Sequence, residues 1–205
     1  MVRRKDKAKR QREPLYVFVC EGRNETEKLY FSHFNRRENP YVLKCFGSEA
    51  TDIGNMVRKA MRLYGEYEMD PALGDKMFCV IDMDLNEEKY EKYKLLKTKH
   101  KNVVIVVSNP CFETWLSYYF TESPKVVNSS QKAKDELKNL VPGYSENMDI
   151  VKECDLESKH GVAINRSEKK NRRYNPDSRI IDRNPYSEVQ DPVTALLAPF
   201  ADKDE

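Results

Sequence analysis

Four short apolar runs, each followed by a segment with helical character, constrain the fold of this chain more than any other feature. The runs lie at residues 15–20, 41–46, 76–81 and 103–107. Their aliphatic and aromatic residues are typical of strands that are covered on both faces of a sheet. Because parallel strands need crossover connections, strands that alternate with helices predict a mostly parallel sheet. We therefore expect an α/β protein with a central four-stranded sheet and helices on both faces.

The segments between the runs have helical periodicity. The clearest begins at Asp52, where apolar residues recur every three or four positions as far as Tyr64. Residues 86–100 and 111–120 predict two further helices.

The first helix is predicted from a cap. Asn24 followed three residues later by Glu27 resembles a capping box just after the first strand. Glu25 and Glu27 would then lie at the positive end of the helix, so they fit helix-start acids better than metal ligands.

The chain divides by composition into three parts. Its 205 residues suffice for one core. The net charge of +2 is unevenly distributed, since basic residues dominate the first twelve positions. Such a tail attracts phosphate backbones or only keeps a chain soluble. We predict a basic flexible tail at 1–13, an α/β core at 14–120 and a helical extension packed on it at 121–205, with a helix at 131–140 and no convincing fifth strand.

Two observations bear on location. No apolar run approaches the roughly 20 residues that a membrane-spanning helix needs. The basic start of the chain lacks the apolar stretch of a signal peptide. We therefore expect a cytoplasmic protein with no membrane partner.

Acidic residues follow three of the predicted strands. Glu21 comes after the first, Asp82 and Asp84 after the third, and Glu113 shortly after the fourth. Because ligand sites of open α/β sheets lie beyond the carboxyl ends of the strands, we expect these carboxylates to converge. Clustered carboxylates raise one another's pKa, and a divalent cation relieves the repulsion. Oxygen ligands without histidine or cysteine favour Mg²⁺ or Mn²⁺.

An extended chain would direct Asp82 and Asp84 to the same side, with α-carbons about 7 Å apart, so that both could reach one ion. These acids also have interpretations that involve no metal. Acidic residues at strand ends are nevertheless often helix caps or solvated turn residues. Glu113 could be an extra metal ligand or could favour the start of the helix that Pro110 opens.

Several basic residues are candidates for contact with phosphate groups. Arg23, next to Gly22, could contact a scissile phosphate or neutralise Glu21. A basic cluster further along could bind a nucleic-acid strand or could be a solvated helix face. Its members are Lys169, Lys170, Arg172 and Arg173.

Four pieces of the chain match a known family, at residues 20–31, 81–84, 108–116 and 184–189. The sequence resembles the RloB family, a bacterial group with a Toprim-like fold that includes abortive-infection proteins of the AbiLii type. The first and third pieces are specific in combination, whereas the DxD of the second is generic. The chain departs from the family pattern at Tyr186 and Ser187, where small hydroxyl residues are expected.

The resemblance implies a Toprim metal site. In it, Glu21 is the general acid or base, and Asp82 and Asp84 hold Mg²⁺. Toprim domains of topoisomerases, primases and OLD-type nucleases act on phosphodiester bonds. RloB-type proteins are associated with restriction-modification and phage-defence loci. The resemblance therefore implies a metal-dependent defence nuclease acting on DNA or RNA, with an ATPase of the same locus as a candidate partner.

Two other function classes are weighed against the nuclease. A non-catalytic nucleic-acid-binding or regulatory module would keep the fold and use only the basic segments. Phosphotransfer on free nucleotides is less favoured, because the sequence has no glycine-rich loop of the P-loop type. Homo-oligomer formation is left open by the sequence.

Overall fold

The four apolar runs form neighbouring parallel strands in the computed structural model, which describes residues 12–21, 26–48 and 52–201. The central strand β1 (Leu15–Cys20) pairs with β2 (Val42–Gly47) on one side and with β3 (Lys76–Asp82) on the other. Strand β4 (Val103–Asn109) continues the sheet beside β3, again in parallel. The predicted α/β class with a mostly parallel sheet is thus confirmed, and the architecture is consistent with a Toprim-like fold.

A short fifth strand extends the sheet beyond the four that the sequence predicts. Strand β5 (Tyr186–Ser187) pairs antiparallel with the end of β4, so the strand order is β2-β1-β3-β4-β5. A strand of two residues shows no alternation of apolar and polar positions, so the sequence pattern gives no signal for it.

Two of the helices begin where capping residues predict. The carboxylate of Asp52 accepts a hydrogen bond from the N–H of Asn55, and the side chain of Asn86 accepts one from the N–H of Lys89. In the described part of the chain, none of the helices is both long and apolar enough to cross a membrane. The helices are α1 (Thr26–Ser32), α2 (Ile53–Glu66), α3 (Glu87–Lys99), α4 (Glu113–Ser117), α5 (Ser130–Leu140), α6 (Ile150–Glu153), α7 (His160–Asn171) and α8 (Gln190–Ala201).

The sheet separates two apolar layers. On one face, Val17 and Val19 of β1 pack with the buried stripe of α2 and with Tyr90 and Tyr93 of α3. The opposite face of β1, centred on Phe18, packs against α1, α4 and apolar residues of the segment after residue 121. The chain after residue 121 therefore contributes to the same core as the strands.

An ion pair joins the start of β1 to the residue before β3. Arg12 Nη1 donates to Asp75 Oδ1 at 2.9 Å, and the N–H of Leu15 donates to the same oxygen at 2.8 Å. These bonds hold the pKa of the Asp75 carboxyl below its ordinary value against the opposing effect of desolvation. Of the predicted tail at 1–13, residues 1–11 lie outside the described residues.

Candidate functional site

Five carboxylates lie together beyond the carboxyl ends of the parallel strands. Glu21 follows β1, Asp82 is the last residue of β3, Asp84 lies in the turn after it, and Glu113 is the first residue of α4. The fifth is Glu27, in the first turn of α1. The four others all lie close enough to Asp82 to raise its pKa by charge repulsion. The structure thus brings Glu21, both aspartates and Glu113 into one cluster.

Glu21 contacts the end of the neighbouring strand directly. The N–H of Asp82 donates to Glu21 Oε2 at 2.9 Å. The ammonium of Lys89, on α3, donates to both Glu21 oxygens, at 2.8 and 3.0 Å. With its side chain only 10% exposed, Glu21 is a nearly enclosed carboxylate with two donors.

The DxD pair is not extended, and this part of the prediction is wrong. Strand β3 ends at Asp82, and the two residues Asp84 and Leu85 both have left-handed backbone conformations, with φ of 56° and 55°. This conformation is uncommon for a residue with a side chain, so it needs support from its surroundings. The N–H of Met83 donates to the carbonyl oxygen of Ser108, and the N–H of Asp84 to that of Pro110, both at 2.8 Å. The end of β4 therefore sets the shape of the DxD turn.

Asn109 is a further link between the turn and its surroundings. Its side-chain oxygen accepts from the N–H of Leu85 at 3.2 Å. Its amide nitrogen donates to the carbonyl oxygens of Ile180, Ile181 and Arg183, at 3.3, 3.0 and 2.8 Å. A single buried side chain thus joins the DxD turn to the 180–183 segment.

The two aspartates meet different groups. Asp82 Oδ1 accepts from the N–H of Phe112 at 2.9 Å. Asp84 Oδ2 accepts from Lys89 Nζ at 3.0 Å, and its Oδ1 accepts from the hydroxyl of Ser130 at 2.5 Å. The Asp84 side chain is 41% exposed, so it forms the solvent-facing side of the cluster.

Glu113 and Glu27 are the most enclosed of the acids, at 3% and 7% exposure. Glu113 Oε1 accepts from the hydroxyl of Tyr144 at 3.1 Å. Burial, together with the nearby charges of Glu113 and Glu21, raises the pKa of Glu27 to about 8. Glu113 thus belongs both to the first turn of α4 and to the carboxylate cluster.

The cluster makes it costly to hold all of its carboxylates ionised at once. Desolvation raises the pKa of Asp82 well above its ordinary value, and Glu27, Glu21 and Glu113 add to the effect. Burial also raises the pKa of Glu21, while the charge of Lys89 opposes it. This is the arrangement that a divalent cation would stabilise.

The donor chemistry of the cluster fits a hard cation. All of its acidic ligand atoms are carboxylate oxygens, the donors that Mg²⁺ and Mn²⁺ prefer. Within residues 12–21, 26–48 and 52–201, no three His, Cys, Asp or Glu side chains are arranged to hold one metal ion. The carboxylates of the cluster thus have the chemistry that such an ion needs, while in this structure they accept hydrogen bonds from protein groups.

Sequence reasoning missed the involvement of Lys89 and Ser130 and favoured a helix-start acid over a metal ligand for Glu27. Two of them carry a signal in helical periodicity. Glu27 lies three residues before Tyr30, on the buried side of α1. Lys89 lies four residues before Tyr93, on the inward side of α3. Ser130 carries no such signal, because its contact with Asp84 spans 46 positions.

Three of the five predicted phosphate-binding residues lie around one cavity. Arg23 lies outside the described residues, as does Glu25. Lys169, Lys170 and Arg173 line a cavity of about 300 Å³ beside α7. Arg172 instead pairs with Glu168 at 2.8 Å on the surface of the helix.

Two of the basic residues that line the cavity also contact other parts of the protein. Arg166, another lining residue, donates to the carbonyl oxygens of Tyr118 and Tyr119 at 2.9 and 3.2 Å. The ammonium of Lys170 lies 5.3 Å from the centre of the Tyr174 ring. Lys169 and Arg173 are the exposed cations of this cavity.

Fold and cluster together define an α/β protein whose parallel strands carry buried acids at their carboxyl edge. The chain belongs to the family of RloB-like proteins, whose model matches residues 16–196, most of the sequence. No curated protein and no solved structure matches the chain.

Proposed function

We propose that this chain is a metal-dependent nuclease that cleaves phosphodiester bonds in DNA or RNA. The observation that supports the proposal is the convergence of Glu21, Asp82 and Asp84 at the carboxyl edge of the sheet. Buried acids with raised pKa values are common at catalytic sites, since most structural positions avoid their cost. The family resemblance supplies the proposed roles.

In this proposal, Asp82, Asp84 and Glu113 would hold Mg²⁺ or Mn²⁺. Such an ion, when bound, neutralises phosphate charge and stabilises the negative charge that develops during displacement at phosphorus. Glu21 would be the general acid or base. Its burial raises its pKa, which is the direction that suits a carboxyl group acting as a general acid.

Substrate contact is assigned to the basic residues of α7 and the turn after it. Lys169, Lys170 and Arg173 line the cavity of about 300 Å³, whose cations fit the phosphates of a nucleic-acid backbone. Arg172 and Arg23 are assigned the same role from the sequence. Backbone contact of this kind gives affinity without base specificity.

The biological setting is proposed from the resemblance alone. RloB-type proteins are associated with phage-defence loci, so we place the nuclease in an anti-phage system beside an ATPase partner. Co-expression with neighbouring genes, followed by phage challenge, tests this setting. Protection that persists in a strain with both Asp82→Asn and Asp84→Asn would contradict it.

The chemistry is tested on the purified full-length chain. Mn²⁺ is titrated against single- and double-stranded DNA, total RNA and tRNA. We expect cleavage of at least one polymer and a loss of about 100-fold or more in the Asp82→Asn variant, which lacks a proposed metal ligand. Asp135→Asn is the matched control, because Asp135 is a partly exposed residue of α5 whose carboxylate contacts Gln131 and Lys132, outside the carboxylate cluster.

A second candidate is a nucleic-acid-binding module without catalysis. It is favoured by the basic cavity beside α7 together with the ammonium of Lys89, which compensates part of the acidic cluster. Retained nucleic-acid binding and retained phage protection in Glu21→Gln would favour this module. Loss of protection with retained binding would favour the nuclease.

A further inference from the structure

We infer that the ammonium of Lys89 is a built-in counter-ion between Glu21 and Asp84, and that a divalent cation binds Asp84 only by displacing it. The inference rests on the proposed metal-dependent function and deepens it, because it names how the chain itself controls access to the site. Its evidence is the position of one lysine among carboxylates that are distant in the sequence.

Lys89 contacts the carboxylates on the solvent-facing side of the cluster. Its Nζ lies 2.8 and 3.0 Å from the two oxygens of Glu21 and 3.0 Å from Asp84 Oδ2. The remaining Asp84 oxygen accepts from Ser130. Each of the four carboxylate oxygens of Glu21 and Asp84 therefore already has a donor.

A divalent ion bound to Asp84 and this ammonium cannot both stay in place at low cost. Mg²⁺ contacts carboxylate oxygen at about 2.1 Å and demands near-octahedral geometry. An ammonium that stays 3.0 Å from Asp84 Oδ2 would lie almost in contact with the ion, in a site partly shielded from water. Like charges repel strongly there. Lys89 must move when the metal binds.

The side chain has both the length and the route to move. A lysine ammonium sits on a flexible four-carbon stem, so it can swing without any shift of its helix. The side chain of Lys89 is 12% exposed and adjoins Asp84, the solvent-facing acid. Helix α3 itself is fixed by the Asn86 cap and by the buried ring of Tyr93. Displacement is therefore a side-chain motion toward solvent.

The substitution Lys89→Met tests the inference, because methionine keeps an unbranched chain and removes the charge. Mn²⁺ binding to the full-length chain is measured by calorimetry and by electron paramagnetic resonance without nucleic acid. We expect Lys89→Met to bind Mn²⁺ about tenfold more tightly, since the competing charge is gone. We also expect a lower melting temperature without metal and a larger increase on adding Mn²⁺.

The matched control is Lys92→Met, one helical turn further along α3. Its ammonium pairs with Asp52 at 3.2 Å and Glu88 at 3.1 Å, outside the carboxylate cluster. We expect this variant to bind Mn²⁺ like the unmodified chain. If Lys89→Met does not fold, Lys89→Gln replaces it in the same measurements.

The outcomes separate this inference from the proposed function. Tighter Mn²⁺ binding in Lys89→Met than in the unmodified chain supports the displacement. Equal or weaker binding in that variant, with clear binding by the unmodified chain, overturns the displacement and leaves the metal-dependent function standing. Absence of Mn²⁺ binding in both chains overturns both.

Discussion

The N–H of Asp82 donates to Glu21 Oε2 at 2.9 Å, although 61 positions separate the two residues. This bond joins the end of β1 to the end of β3, and it orients the carboxylate of Glu21 in the cluster. The same carboxylate accepts from Lys89 through both oxygens. Its hydrogen-bonding role and its charge can therefore be separated by substitution.

Glu21→Gln removes the charge and retains an oxygen that accepts from the N–H of Asp82. We expect the fold to persist and cleavage to fall by about 100-fold or more, the usual contribution of a general acid or base. Circular dichroism and a cleavage assay measure the two effects. Glu66→Gln is the control, since Glu66 lies on the exposed side of α2 and pairs with Arg62 at 3.4 Å. Unchanged cleavage in Glu21→Gln would remove Glu21 from the mechanism.

Asn109→Leu is expected to destabilise the protein through the DxD turn. The change removes the acceptor of the Leu85 N–H and the donor to the carbonyl oxygens of Ile181 and Arg183. These groups are buried or partly buried. Each buried polar group left unsatisfied costs about 1–3 kcal/mol, so we expect a loss of about 3 kcal/mol in the free energy of unfolding. Urea denaturation measures it. Asn102→Leu, in the exposed turn before β4, should change stability little, and an equal loss there would contradict the assignment.

The sequence predicts the part of this structure that depends on apolar pattern. The strand Leu15–Cys20 is buried throughout, and its apolar run predicts the observed bounds. Once such strands are parallel, their ends share one edge, so the proximity of Glu21 and Asp82 also follows from the pattern. Strand β5 does not follow, because two residues show no period.

Contacts that span the chain lie beyond a pattern of this kind. The left-handed turn at Asp84 depends on carbonyl oxygens of Ser108 and Pro110, which no local propensity indicates. The contact of Ser130 with Asp84 depends on how the segment after residue 121 packs. Lys89 could have been identified from its place on the inward side of α3, although a lysine there is usually interpreted as a solvated residue.

The pH dependence of stability is predicted from His160. Its Nδ1 lies 2.6 Å from the hydroxyl of Tyr119, which lies 2.6 Å from the hydroxyl of Tyr30. Burial, together with the charges of Arg36 and His33, lowers the pKa of His160 from its ordinary 6.5 to about 4. The folded state therefore holds the imidazole neutral.

The sign follows from the order of the two pKa values. Below pH 6.5 the imidazole of His160 binds a proton in the unfolded chain, whereas in the folded protein it binds that proton only near pH 4. The stability from His160 is thus complete above pH 6.5 and is lost as the pH falls toward 4, by on the order of 3 kcal/mol. Urea denaturation at several pH values measures the slope. His160→Gln should flatten it, and an unchanged slope in that variant would assign the effect to other groups.

The salt dependence of nucleic-acid binding is predicted from the cavity beside α7. Lys169 and Arg173 are its exposed cations, and substituting both by alanine removes two phosphate partners. We expect weaker binding of all sequences alike and a decrease of about 1–2 in the slope of log affinity against log salt. Fluorescence anisotropy with labelled DNA and RNA at several salt concentrations measures both quantities.

The control for charge alone is a second double variant, Lys94→Ala with Lys101→Ala. Lys94 pairs with Glu91 on the exposed side of α3, and Lys101 lies in the exposed turn that follows. Both double variants remove the same net charge. If the cavity binds the phosphate backbone, the variant with Lys169 and Arg173 replaced must therefore lose more nucleic-acid affinity than the control variant. Arg172→Ala should have a smaller effect than either cavity residue, since Glu168 already engages its guanidinium. Equal losses in the two double variants would mean that overall charge, and not the cavity, attracts the polymer.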